Sequence, residues 1–173
     1  MSIIFLDIDG VLNSKTYFDK INSRILSCNI NYHDIYDNNL SALIEFAMMR
    51  IDPVCLNRVI RLANETESSI VMTSGWSTLY YYPNVLRRLN NVGLPINNYL
   101  STSFSDRAVK IEAFINNIDE NFVIIDTGDF VKFNENLYDN LVLVDKKVGF
   151  TEEDYNKAIE IIGRGIKRKK EVK

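Results

Sequence analysis

Short apolar runs that end on acidic or small polar residues alternate along this chain with stretches whose apolar residues recur at helical spacing. Residues 2–6 are an apolar run halted by Asp7-Ile8-Asp9-Gly10, which predicts a buried strand ending in a turn. Residues 69–73 form a second, β-branched run that breaks at Ser74-Gly75. A third, residues 122–125, runs into Asp126, and a fourth spans 141–144. Between the runs, Asp52-Pro53 opens a helix with Leu56, Val59, Ile60 and Ala63 on one face. Residues 83–91 predict a helix with Val85, Leu86 and Leu89 inward, followed by Gly93-Leu94-Pro95 and a weakly defined segment near Tyr99. Residues 108–117 give another, and Thr151-Glu152-Glu153-Asp154 caps a last one carrying Tyr155, Ala158, Ile159 and Ile162.

Strands alternating with amphipathic helices predict an α/β fold, a parallel sheet flanked by helices on both faces. The 173 residues suit one domain. Residues 14–50 are polar, with helical spacing only at Leu40, Leu43, Ile44 and Ala47, and read as a small cap insertion after the first strand. The run Lys167-Arg168-Lys169-Lys170 reads as a solvated tail.

Composition narrows the class. With 46% hydrophobic and 25% charged residues the chain is expected to be globular and cytoplasmic. No apolar run approaches the roughly 18 residues of a membrane span, so no membrane association is expected. The net charge of -3 argues against a general nucleic-acid coat. One histidine, His33, and two distant cysteines, Cys28 and Cys55, offer neither a Cys/His metal site nor a Ser/His/Asp triad. No obligate protein partner is evident.

In an open parallel sheet the binding crevice lies outside the carboxyl ends of the strands, where the polar residues above converge. Asp7 can attack a phosphorus while Asp9 exchanges a proton, and a divalent cation must then offset the charge of two approaching anions. Asp126 adds a hard oxygen ligand suited to magnesium. Thr73 or Ser74 can donate a hydroxyl to the phosphate, and Lys110 can balance its charge, with Arg107 as the alternative cation.

These residues match a known pattern. Phe5-Leu6-Asp7-Ile8-Asp9-Gly10-Val11-Leu12 resembles the first motif of haloacid dehalogenase (HAD) phosphatases. Val71-Met72-Thr73-Ser74-Gly75 resembles their second, Lys110 their third, and Ile124-Ile125-Asp126 their fourth. The resemblance implies a Rossmann-like core, an aspartyl-phosphate on Asp7, and Mg2+ held by Asp7, Asp126 and the backbone carbonyl of Asp9. Thr73, Ser74, Gly75 and Arg107 are the residues expected to bind the substrate phosphate. The Asp-Gly-Val-Leu-Asn start, the Ser-Gly-Trp after the second run and Val-Gly-Phe-Thr near the end are similar to HAD domains of RNA-repair proteins. Asp106-Arg107-Ala108-Val109-Lys110 is similar to a stretch of polynucleotide kinase phosphatases.

The expected activity is a phosphomonoesterase acting on a nucleotide or a nucleic-acid terminal (3′) phosphate. The fourth motif departs from the pattern, since Asp126-Thr127-Gly128-Asp129 stands where relatives carry adjacent acids, and Asp129 is the candidate replacement ligand. Trp76-Ser77 stands where an Arg often follows the second-motif Ser, and Trp76 with Tyr80-Tyr81-Tyr82 is a candidate for stacking a base. Two alternatives remain, a non-catalytic protein that sequesters a phosphorylated ligand and a phosphatase of sugars or other small metabolites.

Overall fold

A computed structural model describes residues 2–27, 39–102, 106–129 and 131–171. At its centre lies a five-stranded sheet, made of β1 (Ser2–Leu6), β2 (Ser68–Met72), β3 (Ile96–Tyr99), β4 (Asn121–Asp126) and β5 (Leu141–Leu143). Its order is β3-β2-β1-β4-β5 and every pairing is parallel. Among the described residues the helices are α1 (Lys15–Ser27), α2 (Leu40–Met49), α3 (Pro53–Glu65), α4 (Tyr82–Asn91), α5 (Arg107–Ile115) and α6 (Glu152–Glu171), with short 3-10 turns at Gly75–Thr78 and Glu135–Asn140. None of them is long and apolar enough to cross a membrane.

The period-two alternation of a strand explains why β1 is apolar throughout. Ile4 and Leu6 face a core shared with Val59 and Leu62 of α3, Leu89 of α4 and Ala158 of α6. Ile3 and Phe5 face a second core with Ala108 and Ile111 of α5 and Leu137. On that side Phe5 meets Phe114 and Phe122 edge to face, with centroids 5.5 and 5.9 Å apart. Helix starts follow the sequence signals. The Asp52 carboxylate accepts from Val54 N at 2.9 Å ahead of Pro53, and Thr151 and Asp154 exchange bonds to each other's main-chain N–H.

Two expectations change. The weakly defined segment near Tyr99 is strand β3, a four-residue edge strand whose only half-buried apolar residue is Ile96. It pairs with β2 across an irregularity between Ile70 and Val71. The expected tail at 167–170 lies within α6, which continues to Glu171. The expected cap insertion contributes α1 and α2, while His33 and Cys28 lie outside the described residues. Its two ends meet where Asp52 N donates to the Leu12 carbonyl at 2.7 Å.

The chain runs from β1 outward to β3 and then returns to lay β4 on the other side of β1. The strand order therefore reverses between β1 and β4, the place where open α/β sheets form their binding crevice.

Candidate active site

Asp7 and Asp126 sit at that reversal. Asp7 follows β1 and its main-chain N–H donates to the Ile125 carbonyl at 3.1 Å, while Asp126 is the last residue of β4. Both side chains are buried, and the guanidinium of Arg107, only 1% exposed at the start of α5, lies between them. Arg107 Nη1 donates to Asp7 Oδ2 at 2.6 Å and to Asp126 Oδ2 at 2.5 Å. The other oxygens accept main-chain N–H groups, Asp7 Oδ1 from Ile8 and Asp126 Oδ1 from Gly128, each at 2.8 Å.

Two buried carboxylates facing one guanidinium leave the site with excess negative charge when both are ionised. Burial, and next the neighbouring charge of Asp126, push the Asp7 carboxyl up from 3.8 to about 7, against the opposing pull of Arg107 and the Ile8 N–H. An added cation beside this pair would relieve the imbalance.

Asp9 occupies a different environment, at the mouth of the site. Both of its carboxylate oxygens accept from Trp76 Nε1, at 3.0 and 2.9 Å, and Asn13 Nδ2 donates to Oδ1 at 2.9 Å. Asn13 in turn accepts from Gly10 N at 2.7 Å, which closes the turn. Gly10 has a φ of +76°, and a Cβ there would stand 2.6 Å from Thr127 Cγ2 and 2.7 Å from Lys146 Cβ. Glycine is thus required both for the turn and for the approach of the loops that follow β4 and β5. Trp76 was a candidate for stacking a base. With 8% exposure and its indole N–H on Asp9, it is instead the residue that orients that carboxylate.

The small residues after β2 divide in role. Thr73 continues the strand, its N–H on the Leu6 carbonyl at 2.8 Å, and its buried Oγ1 has no hydrogen-bond partner among the described residues. The Tyr82 hydroxyl, on a side chain 1% exposed, has none either; burial first, and then the charge of Asp7, raise its phenol above the ordinary value. Ser74 Oγ instead accepts from Trp76 N at 3.3 Å and caps the 3-10 turn that begins at Gly75.

The candidate cation Lys110 is not brought to Asp7. Its ammonium binds the Asp106 carboxylate at 2.7 Å and the Ser101 carbonyl, and Arg107 takes the place expected of it. Arg107 in turn contacts the two acids rather than standing as a separate phosphate ligand. Asp129 pairs with Lys146 at 2.7 Å. Among the described residues no three Asp, Glu, His or Cys side chains converge as a metal-holding group. The oxygen donors brought together at the strand ends are therefore two carboxylates, Asp7 and Asp126. Such a set fits an ion that keeps much of its water shell, as magnesium does.

Beside Asp9 opens a cavity of about 220 Å³ with Asp9, Gly10 and Asn13 in its wall. Lys15 and Phe18 of α1, Arg50 at the end of α2, and Lys146 of the loop after β5 complete it. Three cations and one carboxylate line this recess, and two of the cations, Lys15 and Lys146, are also paired with the acids Asp19 and Asp129.

Sequence comparison agrees with this architecture. A family model described as the HAD domain in Swiss Army Knife RNA repair proteins matches residues 3–155. No curated protein and no solved structure matches. The matched span runs from β1 into α6 and includes every acid at the sheet's carboxyl end, so the chain belongs to the HAD domain family of Swiss Army Knife RNA repair proteins.

Proposed function

We propose that the protein is a magnesium-dependent phosphomonoesterase that removes a terminal phosphate, at the 3′ end, from a nucleotide or nucleic acid. The observation that carries this reading is the pairing of two differently held acids on one loop. Asp7 is buried against Arg107 and Asp126, and Asp9 stands at the mouth beside a cationic recess. Family membership in a set of RNA repair proteins supports the substrate class.

In the proposed reaction the Asp7 carboxylate attacks phosphorus and the ester P–O bond breaks opposite, leaving the phosphoryl group on Asp7. Asp9 delivers a proton to the departing sugar oxygen, then accepts one from the water that attacks the aspartyl-phosphate and releases inorganic phosphate. Trp76 and Asn13 fix the Asp9 carboxylate for both transfers. Arg107 holds Asp7 in its attacking orientation and offsets charge on the transferred group. Thr73 Oγ1 and the hydroxyl of Tyr82 are buried polar groups without hydrogen-bond partners among the described residues, and donation from Thr73 to a phosphoryl oxygen would satisfy it. Asp7, Asp126 and the Asp9 carbonyl, with Asp129 as the candidate replacement ligand, would hold magnesium, whose chemistry there would be to supply positive charge against the phosphoryl oxygens.

Hydrolysis of p-nitrophenyl phosphate with magnesium is the direct test. Asp7→Asn is expected to lower kcat by at least about a thousandfold while circular dichroism stays unchanged. A variant with ordinary turnover would refute Asp7 as nucleophile.

A further inference from the structure

The recess beside Asp9 has no task in the chemistry above. Arg50 is stacked, its guanidinium 4.8 Å from the Phe18 ring centroid and 5.5 Å from that of Trp76. It makes no ion pair among the described residues, and its buried Nε lacks a hydrogen-bond partner among them. Lys15 and Lys146 do have acidic partners, Asp19 at 2.6 Å and Asp129 at 2.7 Å, but these pairs are largely solvent-exposed. Exposed ion pairs are weak, and each ammonium keeps donors for a second anion. A guanidinium held near two rings, without an acidic partner among the described residues and lining one recess with two lysines, suits the oxygens of a phosphate.

The position of the recess decides which phosphate. Asp9 belongs to its wall and is also the acid that must reach the leaving oxygen, so the recess lies on the leaving-group side of the scissile bond. For a 3′-terminal phosphate the leaving group is the nucleoside, whose next anionic group is the phosphodiester joining it to the rest of the strand. Resting on the phosphatase reading, we infer that Lys15, Arg50 and Lys146 bind this penultimate phosphate, so that the protein selects a polynucleotide end over a free nucleoside monophosphate. Lys15, Phe18 and Arg50 come from the insert, which makes that segment the reader of the strand.

The test compares a 3′-phosphorylated dinucleotide, the corresponding nucleoside 3′-monophosphate and the nucleoside 3′,5′-bisphosphate, at one ionic strength, by titration calorimetry on the full chain and by kcat/KM. The dinucleotide is expected to bind about tenfold tighter than the monophosphate, with kcat/KM raised to match, as one further charge-assisted phosphate contact would give. Arg50→Ala should reduce that ratio to near one, and Arg50→Lys should restore part of it. Equal affinity of the wild-type protein for dinucleotide and monophosphate overturns the inference without use of any variant. An advantage confined to the bisphosphate overturns the polynucleotide assignment. Absence of hydrolysis with the affinity ratio and its Arg50 dependence intact would refute the phosphatase reading and sustain the phosphate clamp.

Discussion

Asp7 and Asp126 share a single guanidinium, and this imbalance has consequences away from catalysis. With its pKa raised from 3.8 to about 7, Asp7 keeps a proton in the folded chain that the unfolded chain has already released. Stability therefore falls as pH rises from about 4 to about 7 and levels off above, since the folded state binds more protons across that window. Asp7→Asn removes the charge. Its midpoint of thermal unfolding in ligand-free buffer should exceed that of the wild type at pH 8, and the difference should vanish by pH 4. An unchanged gap across that range would mean the carboxyl is not perturbed. The opposite lesion, Arg107→Ala, leaves two acids buried without their cation and should cost about 3–5 kcal/mol, measured by urea unfolding at pH 8. Trp76→Phe keeps an aromatic ring beneath Arg50 but deletes the N–H on Asp9. It should lower kcat by about tenfold or more with little change in KM, because a loosened acid acts in the transition state. A rise in KM alone would assign Trp76 to binding.

Among elements, β1, β2 and β4 were legible because central parallel strands are apolar on both faces and stop abruptly at polar residues, and β5, at the sheet's other edge, was legible because all three of its residues are apolar. β3 was not, because an edge strand with Asn97 and Asn98 exposed has no such run. The carboxylates at the strand ends were legible for the same reason, whereas the cation was not. Arg107 and Lys110 lie one helical turn apart, and the choice between them depends on Asp106 and the Ser101 carbonyl capturing the lysine, which spacing does not encode. Asn13 and Trp76 stand in the stretches that carry the RNA-repair likeness, but their role was not legible, because they hold Asp9 from across a turn and from across the fold. The turn itself makes a sharp prediction. Gly10→Ala places a side chain on backbone with φ +76° and against Thr127 and Lys146. It should cost at least about 1–3 kcal/mol in chemical denaturation and depress activity through displacement of Asp9.

For the molecule as a whole, the family match and the five-stranded parallel sheet agree on a HAD core of the RNA repair kind. Exhaustive chelation should abolish p-nitrophenyl phosphate hydrolysis, and readdition of magnesium should restore it; full rate after chelation would sink the proposed metal role. The chain departs after Leu12 and returns at Asp52, whose N–H reaches the Leu12 carbonyl, and the segment between is tied to the core by the N–H groups of Lys15 and Thr16 on the carbonyls of Lys146 and Lys147 and by buried Ala47. Closing a longer excursion at a fixed junction adds little entropic penalty. Descent can therefore lengthen, shorten or rewrite the excursion while the nucleophile stays in register, so that what the protein accepts drifts over generations under a different constraint from what it does.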